Sequence, residues 1–414
     1  MKTYEITPPI NGIVNGVITL NGSKSIANRA LIIRSLTKDG FDIRNLSNAD
    51  DTLVLDNLLK SHAEVLDAGA GGTTFRFLTA YLATCEGREV VLAGSERMQE
   101  RPIRLLVNAL RTLGADIEYV KNEGFPPLKI KGKKLKGGKV TIPADTSSQY
   151  ISALLMVAPT LEEGLVLELK GEIVSLPYIL MTLNLMRYFG VESTLEGNII
   201  TVKSQTYQSK SFFVEADWSA ASYYYSIAFL SNSAEITLNG LQKDSVQGDA
   251  VIADIFKDWV ETTFLESSIV LKKKNLVLPK VFEFDFLECP DLAQTVLTAL
   301  AAKNINGTFQ GLKTLLIKET DRVAALDNEL SKYGAHLKGE VSKNSWKLAS
   351  VNFNADLEVI PSIATYEDLR MAMSFAPLSL VTQKVEIEEP HVVTKSYPQF
   401  WEDLNSLGFS ICEK

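Results

Sequence analysis

The feature that most constrains the fold is a helix pair repeated along the chain. Six segments begin with a small polar or acidic residue and continue as a largely apolar helix. They are SKSIANRALIIRSL from Ser23, TTFRFLTAYLA from Thr73, SSQYISALLMVAP from Ser147, SAASYYYSIAFL from Ser219, DLAQTVLTALAA from Asp291 and EDLRMAMSFAPL from Glu367. Ser, Thr and Asp are the residues whose side chains cap the free N–H groups of a helix start. A second set alternates with the first: DDTLVLDNLLKS from Asp50, RPIRLLVNALRTLGADI from Arg101, SLPYILMTLNLMRYFGVE from Ser175, SVQGDAVIADIFKDW from Ser245, ETDRVAALDNELSKYGAHL from Glu319 and SYPQFWEDLNSLGFSI from Ser396. In each pair the second helix follows the first by 26 to 29 residues, a regularity that marks an internal repeat.

Short β-rich runs lie between the helices, among them EVVLAG (89–94), GLVLELKG (164–171), AEITLNG (234–240) and KVEIEE (384–389). The alternation implies an α/β fold whose unit is roughly βαβαββ. A chain of 414 residues exceeds one ordinary core, so the six units divide as three per domain. The crossings fall at strand-to-helix junctions near Gly22 and Glu215, giving an inserted domain over residues 22–215 and a discontinuous one over 1–21 and 216–414. A doubly wound sheet is the ordinary alternative.

Composition narrows the partners. With 42 Lys and Arg against 50 Asp and Glu, the net charge of -8 argues against nucleic acid or an anionic membrane as a general partner. Cys85, Cys289 and Cys412 lie far apart, as do His62, His336 and His391, so neither a disulfide framework nor a metal centre is expected. The start, MKTYEITPPINGIVNG, lacks a basic segment followed by an apolar one, and no apolar run reaches membrane-spanning length. A soluble, reducing, cytoplasmic setting is the expectation.

Charged residues gather at the helix starts. In LLIKETDRVAAL (315–326), Lys318, Glu319, Asp321 and Arg322 crowd within five positions. If the helix has begun by Lys318, that lysine and Arg322 repel across one turn by about 0.2–0.5 kcal/mol. Two readings stand. Either this is a solvated helix start, with Thr320 as cap and Arg322 bridging to Glu319, or a bound anion holds the cations while a carboxylate moves a proton. Elsewhere, Lys24, Ser25 and Arg29 stand at or within a helix N-terminus, where free N–H groups favour an anion. AGAGGTTFR places Gly71 and Gly72 before Arg76 without a Walker A lysine or GxGxxG spacing; it is either a phosphate turn or a plain glycine turn. Arg101 precedes Pro102, which holds it extended at a helix mouth. Ser147, Ser148 and Gln149 offer hydroxyl and amide donors, and Asp291 is either a cap or a catalytic carboxylate.

Ten motifs in order, KSIANRALI, GGTTFR, ERPI, SSQY, SLPY, EADWSAAS, PDLAQT, IKETDR, EDLRMAM and TKSYP, resemble those of the 5-enolpyruvylshikimate-3-phosphate synthase family, from Lys24 to Pro398. The resemblance implies two domains of three repeated units, with helix N-termini facing an interdomain cleft that closes on ligand. It implies transfer of the enolpyruvyl group of phosphoenolpyruvate to the 5-hydroxyl of shikimate 3-phosphate by addition and elimination, without cofactor or metal, in a monomer. By motif, Lys24, Gly72, Arg101, Gln149, Arg322, Arg370 and Lys395 would hold phosphoenolpyruvate. Lys24, Ser25, Arg29, Ser147, Ser148, Gln149, Ser175, Tyr178, Asp291 and Lys318 would hold shikimate 3-phosphate, with Arg76 in support. Asp291, Glu319 and Lys24 would carry the chemistry, two carboxyl groups exchanging protons at the hydroxyl and at C3 of the enol.

Three positions depart from the family pattern. Ala70 and Thr314 stand where asparagines are frequent, and Leu369 replaces the histidine of DHRMAM. Leucine neither donates a hydrogen bond nor carries charge, so one polar contact near the phosphate of phosphoenolpyruvate is expected to be missing. Two other readings remain. One is the related transfer to UDP-N-acetylglucosamine, whose enzymes carry a cysteine or Asp in the loop that here reads ERMQERPI. The other is a ligand-binding relative without turnover.

Overall fold

The computed structural model describes residues 2–318 and 320–414. The chain divides into two compact units, one formed by Met1–Asn21 with Glu215–Lys414 and the other by Gly22–Val214. Each has its own hydrophobic core.

The repeat is visible in strand pairing. In the Gly22–Val214 unit, strand Val65–Asp67 leads through helix Gly72–Ala83 to a parallel partner, Glu89–Ala93. Helix Arg104–Thr112 follows, then two antiparallel strands, Asp116–Tyr119 and Leu128–Lys131, that complete a four-stranded sheet. Strands Gly138–Pro143, Leu165–Lys170, Ser193–Glu196 and Ile199–Val202, with helices Ser148–Val157 and Leu176–Tyr188, repeat the plan. The third module, with helices Lys24–Leu36 and Asp50–Lys60, keeps the parallel pair of Ile43–Arg44 with Phe212–Phe213 as a two-stranded sheet.

The discontinuous unit holds three four-stranded sheets of the same pattern. One contains the parallel pair Ile13–Thr19 and Ser233–Asn239, so its first and second strands lie on either side of the inserted unit in sequence. Another is completed by the N-terminal strand Thr3–Thr7 between Val385–Glu388 and Ser410–Glu413. At the entry to the inserted unit a Cβ on Gly22 would lie 2.0 Å from the carbonyl oxygen of Asn45, so no other residue fits there without moving backbone.

Burial explains why the first helix of each pair is the more apolar. Helix Trp218–Leu230 is buried at every position except Ser219. Its three tyrosines keep hydroxyl partners: Tyr224 with the Tyr397 hydroxyl at 2.5 Å, Tyr225 with Thr262 at 2.9 Å, and Tyr223, which accepts from Arg370 Nη1 at 3.3 Å. Among the described residues no helix is long and apolar enough to cross a membrane.

Several second helices start later than their sequence suggests. Pro102 biases Arg101 out of the helical region, and the helix begins at Arg104 rather than Arg101. Near Ser245 there are only short helical turns, Gly248–Val251 and Ile252–Ile255, and near Ser396 the helix begins at Phe400. The helix expected from Glu319 begins at Arg322 because Asp321, not Thr320, is its cap, accepting from Ala324 N at 3.0 Å. Lys318 therefore ends a 3-10 turn over Lys313–Ile317 and shares no helical face with Arg322.

Candidate functional site

In the inserted unit, candidate residues collect at the starts of helices Lys24–Leu36, Gly72–Ala83 and Ser148–Val157. Asp51, on the neighbouring helix, links two of these starts. It pairs with Lys24 Nζ at 3.2 Å, and its carbonyl accepts from the Thr74 hydroxyl at 2.9 Å. A Cβ on Gly71 would lie 3.0 Å from its Oδ1.

Gly72 opens the helix beneath two guanidinium groups: a Cβ there would lie 2.7 Å from Arg101 Nη1 and 2.9 Å from Arg76 Nη1. The missing side chain is what lets both cations approach backbone N–H groups that are themselves free to bind an anion. Arg76 also donates to Gln149 Oε1 and lies over the Tyr150 ring, 5.2 Å from its centroid. Gln149 Nε2 in turn donates to Thr73 at 2.8 Å. Gly72, Arg76, Arg101 and Gln149 thus form one cluster.

Arg29 is placed differently, with 2% of its surface exposed. It donates from Nε to Thr182 Oγ1 at 2.8 Å, from Nη1 to the Ser25 carbonyl at 2.8 Å and from Nη2 to Ser152 Oγ at 2.9 Å. The rings of Phe77 and Tyr178 lie 5.4 and 5.9 Å from its Cζ. Burial pulls its pKa down to about 10, offset in small part by Tyr178. Arg29 therefore fixes Ser25 and underlies Tyr178 from within. Ser147 caps helix Ser148–Val157, and Ser175, buried at the entry to helix Leu176–Tyr188, holds a left-handed backbone at φ 57°.

In the discontinuous unit Asp291 lies in the 3-10 turn Pro290–Leu292. Its Oδ1 accepts from Arg322 Nη1 at 3.0 Å and its Oδ2 from Arg370 Nη2 at 2.9 Å. Arg322 also donates through Nε to Asp368 Oδ2 at 2.6 Å, rather than forming only a surface bridge at a helix start. Lys395 Nζ donates to the Glu367 carbonyl at 2.6 Å. Lys318 is partly buried beside the turn that holds Thr314. The hydroxyl of Thr314 is buried without a hydrogen-bond partner among the described residues. Leu369 belongs to the apolar core. Ala70 is exposed. Glu319 lies outside the described residues.

Sequence reasoning missed Asp51, Asp249 and Asp368. Asp249, in the turn Gly248–Val251, accepts from Ser219 Oγ, while its Oδ1 is buried without a partner among the described residues. Burial, reinforced by the nearby Asp291 charge and partly opposed by Arg370, raises its pKa to about 7. Tyr223, beside Arg370, is pushed up to about 12 by burial and stays neutral. Asp368 was legible only as a helix-start carboxylate inside EDLRMAM.

This combination of arginines, glycine turn and positioned carboxylates can hold anions and exchange protons. The family model for EPSP synthase (3-phosphoshikimate 1-carboxyvinyltransferase) matches residues 9–61 and 54–404. A 3-phosphoshikimate 1-carboxyvinyltransferase of Bacteroides fragilis (strain YCH46) is 48% identical over 400 residues, covering 96% of both chains. One from Aliivibrio fischeri (strain ATCC 700601 / ES114) is 35% identical, covering 95% of this chain and 97% of that protein. A solved structure of EPSP synthase from Acinetobacter baumannii, 20% identical, superposes with a TM-score of 0.81 over the full length of both chains and shares the fold. With a family match running through nearly the whole chain and relatives at such identity, the chain belongs to the EPSP synthase (3-phosphoshikimate 1-carboxyvinyltransferase) family and is a transferase of the shikimate pathway.

Proposed function

We propose that this chain transfers the enolpyruvyl group of phosphoenolpyruvate to the 5-hydroxyl of shikimate 3-phosphate and releases phosphate, acting as a monomer on these two small molecules. The observation that carries the reading is Asp291, a carboxylate held between Arg322 and Arg370. It places a proton acceptor beside two cations suited to an anionic substrate. Lys24, Gly72, Arg101, Gln149, Arg322, Arg370 and Lys395 bind phosphoenolpyruvate. Lys24, Ser25, Ser147, Ser148, Gln149, Ser175, Tyr178, Asp291 and Lys318 bind shikimate 3-phosphate, with Arg29 holding Ser25 and Tyr178 in place.

In the addition step the 5-hydroxyl loses its proton to Asp291, its oxygen bonds to C2 of the enol, and C3 takes a proton from Glu319. The tetrahedral intermediate then returns a proton from the new methyl group to the Glu319 carboxylate and expels phosphate, restoring the double bond. Lysine and arginine stabilise the charge that develops on the phosphate. Mixing the protein with both substrates and assaying phosphate tests the reading. Silence across varied pH and salt sinks it, and release with UDP-N-acetylglucosamine instead selects the sister reaction. Glu319→Gln is expected to keep substrate binding while losing most turnover, and a wild-type rate in that variant removes Glu319 from the mechanism.

A further inference from the structure

We propose that Asp368 is a positioning residue that, with the turn leading into it, sets the three candidate phosphoenolpyruvate cations of the discontinuous unit; the substrate named rests on the reading above. Its carboxylate is fully buried, at 0% exposure. Oδ2 accepts from Arg322 Nε at 2.6 Å, and Oδ1 accepts from the backbone N–H of Arg370 at 2.8 Å. The carbonyl of the preceding residue, Glu367, accepts from Lys395 Nζ at 2.6 Å. Arg322, Arg370 and Lys395 come from three separate elements, yet all three are tied to residues 367 and 368. Holding Arg322 by Nε aims its Nη1 at Asp291, the edge a substrate carboxylate or phosphate would take.

The backbone of this turn is strained. Tyr366 and Glu367 sit consecutively in the left-handed region, at φ 53° and 55°, where bulky residues are disfavoured. Such a conformation persists only where the surroundings over-determine it, a property of ligand clamps. Here Asp368 N donates to the Thr365 carbonyl at 2.8 Å, and the Tyr366 hydroxyl donates to Glu329 Oε1 at 2.7 Å. Ala364 N donates to Glu329 Oε2 at 3.1 Å. Glu329 is buried on the same helix, Arg322–Ser331, whose first residue is the arginine that Asp368 holds. Helix and turn are thus clamped to each other at two points.

A counter-charge and a positioning group predict opposite signs. Removing a mere counter-charge leaves the cluster more positive and tightens phosphoenolpyruvate binding. Removing a positioning group loosens Arg322 and weakens it. Asp368→Asn keeps an oxygen for the Arg370 N–H while dropping the charge on Arg322. We expect the KM for phosphoenolpyruvate to rise at least about tenfold, with the KM for shikimate 3-phosphate within about twofold. An unchanged or lower KM for phosphoenolpyruvate overturns the proposal. Glu367→Gly removes the side chain that disfavours the left-handed turn but keeps the carbonyl that Lys395 uses, so its rise in KM for phosphoenolpyruvate should be clearly smaller than that of Asp368→Asn. A rise matching that of Asp368→Asn would assign the positioning to turn rigidity and overturn the role of the carboxylate. A third measurement needs no variant, substrate or turnover. In the wild-type protein the Arg322 Nε–Hε NMR resonance should exchange with solvent far more slowly than that of exposed Arg44. Equal exchange rates overturn the proposal even if the enzyme is active, and slow exchange supports it even if phosphate release is never seen.

Discussion

The two units surround their candidate cations with opposite chemistry. In the inserted unit Arg29 is held by the oxygens of Thr182, Ser25 and Ser152, and Arg76 by the amide of Gln149 and the Tyr150 ring. All of these partners are neutral, whereas Lys24 pairs with Asp51. In the discontinuous unit Arg322 meets Asp291 and Asp368, and Arg370 meets Asp291. Neutral partners leave a guanidinium's charge available to a ligand. Carboxylates occupy it with charge-assisted bonds, stronger than neutral ones. We expect an anion taking the same Nη groups of Arg322 and Arg370 to compete with Asp291, which would couple binding in this unit to release of the carboxylate proposed as base.

Asp291→Asn tests that difference with the largest effect. Turnover should fall by about 10²–10⁴, the range general acid–base catalysis contributes. Phosphoenolpyruvate should bind at least as tightly as in wild type, because its two arginines lose a competing charge. Steady-state kinetics with a direct titration separates the two. Lost turnover together with weakened binding would mean that Asp291 holds the arginines in place instead of competing for them, and the contrast between the units would collapse.

What was legible in the sequence follows from the range of the forces involved. The helix pairs could be read because apolar periodicity and capping residues are local, and the parallel-then-antiparallel sheet plan repeats with them. Helix starts were less legible. Asp321 and Thr320 are both good caps, and only the bond from Asp321 to Ala324 N shows which one acts. The pairing of Arg322 with Asp291 and Asp368 spans 31 and 46 residues, and no local spacing rule reaches that far. Motif resemblance nominated Arg322 and Asp291 separately, but said nothing of a shared hydrogen bond. It passed over Asp368 because an acidic residue at a helix entry already has an ordinary explanation. Arg29 stood out as a ligand candidate through its place near a helix N-terminus, whereas its burial depends on Phe77, Tyr178 and Thr182 from other helices.

The concentration of carboxylates in the discontinuous unit should also register in stability. The pKa of Asp249 is raised from 3.8 to about 7, by burial first and Asp291 second. Below about pH 4 the group is protonated in both folded and unfolded chains. Between there and pH 7 the unfolded chain releases the proton while the native one keeps it, so stability falls as pH rises. The loss is complete above pH 7 and amounts to at most about 4 kcal/mol, at 1.36 kcal/mol per unit. Asp249→Asn removes the titration. Its Tm relative to wild type should therefore climb between pH 5 and pH 8, and a difference that stays flat with pH would show that Asp249 carries no such burden.

The smallest effect belongs to the neutral half. In Gly72→Ala the new methyl meets Arg101 Nη1 at 2.7 Å and Arg76 Nη1 at 2.9 Å. Both are mobile ends of long side chains, not backbone, so the fold should accommodate them with little change in Tm. The displaced guanidinium groups no longer sit over the helix start. The KM for phosphoenolpyruvate should rise by about three- to tenfold, on the order of 1 kcal/mol, with kcat largely kept. This is opposite in direction to the binding change expected for Asp291→Asn, and the pair of signs tests the comparison more sharply than either magnitude. If Gly72→Ala leaves that KM unchanged, the glycine serves only the close approach of two arginines to a helix end, and the neutral cluster is structural.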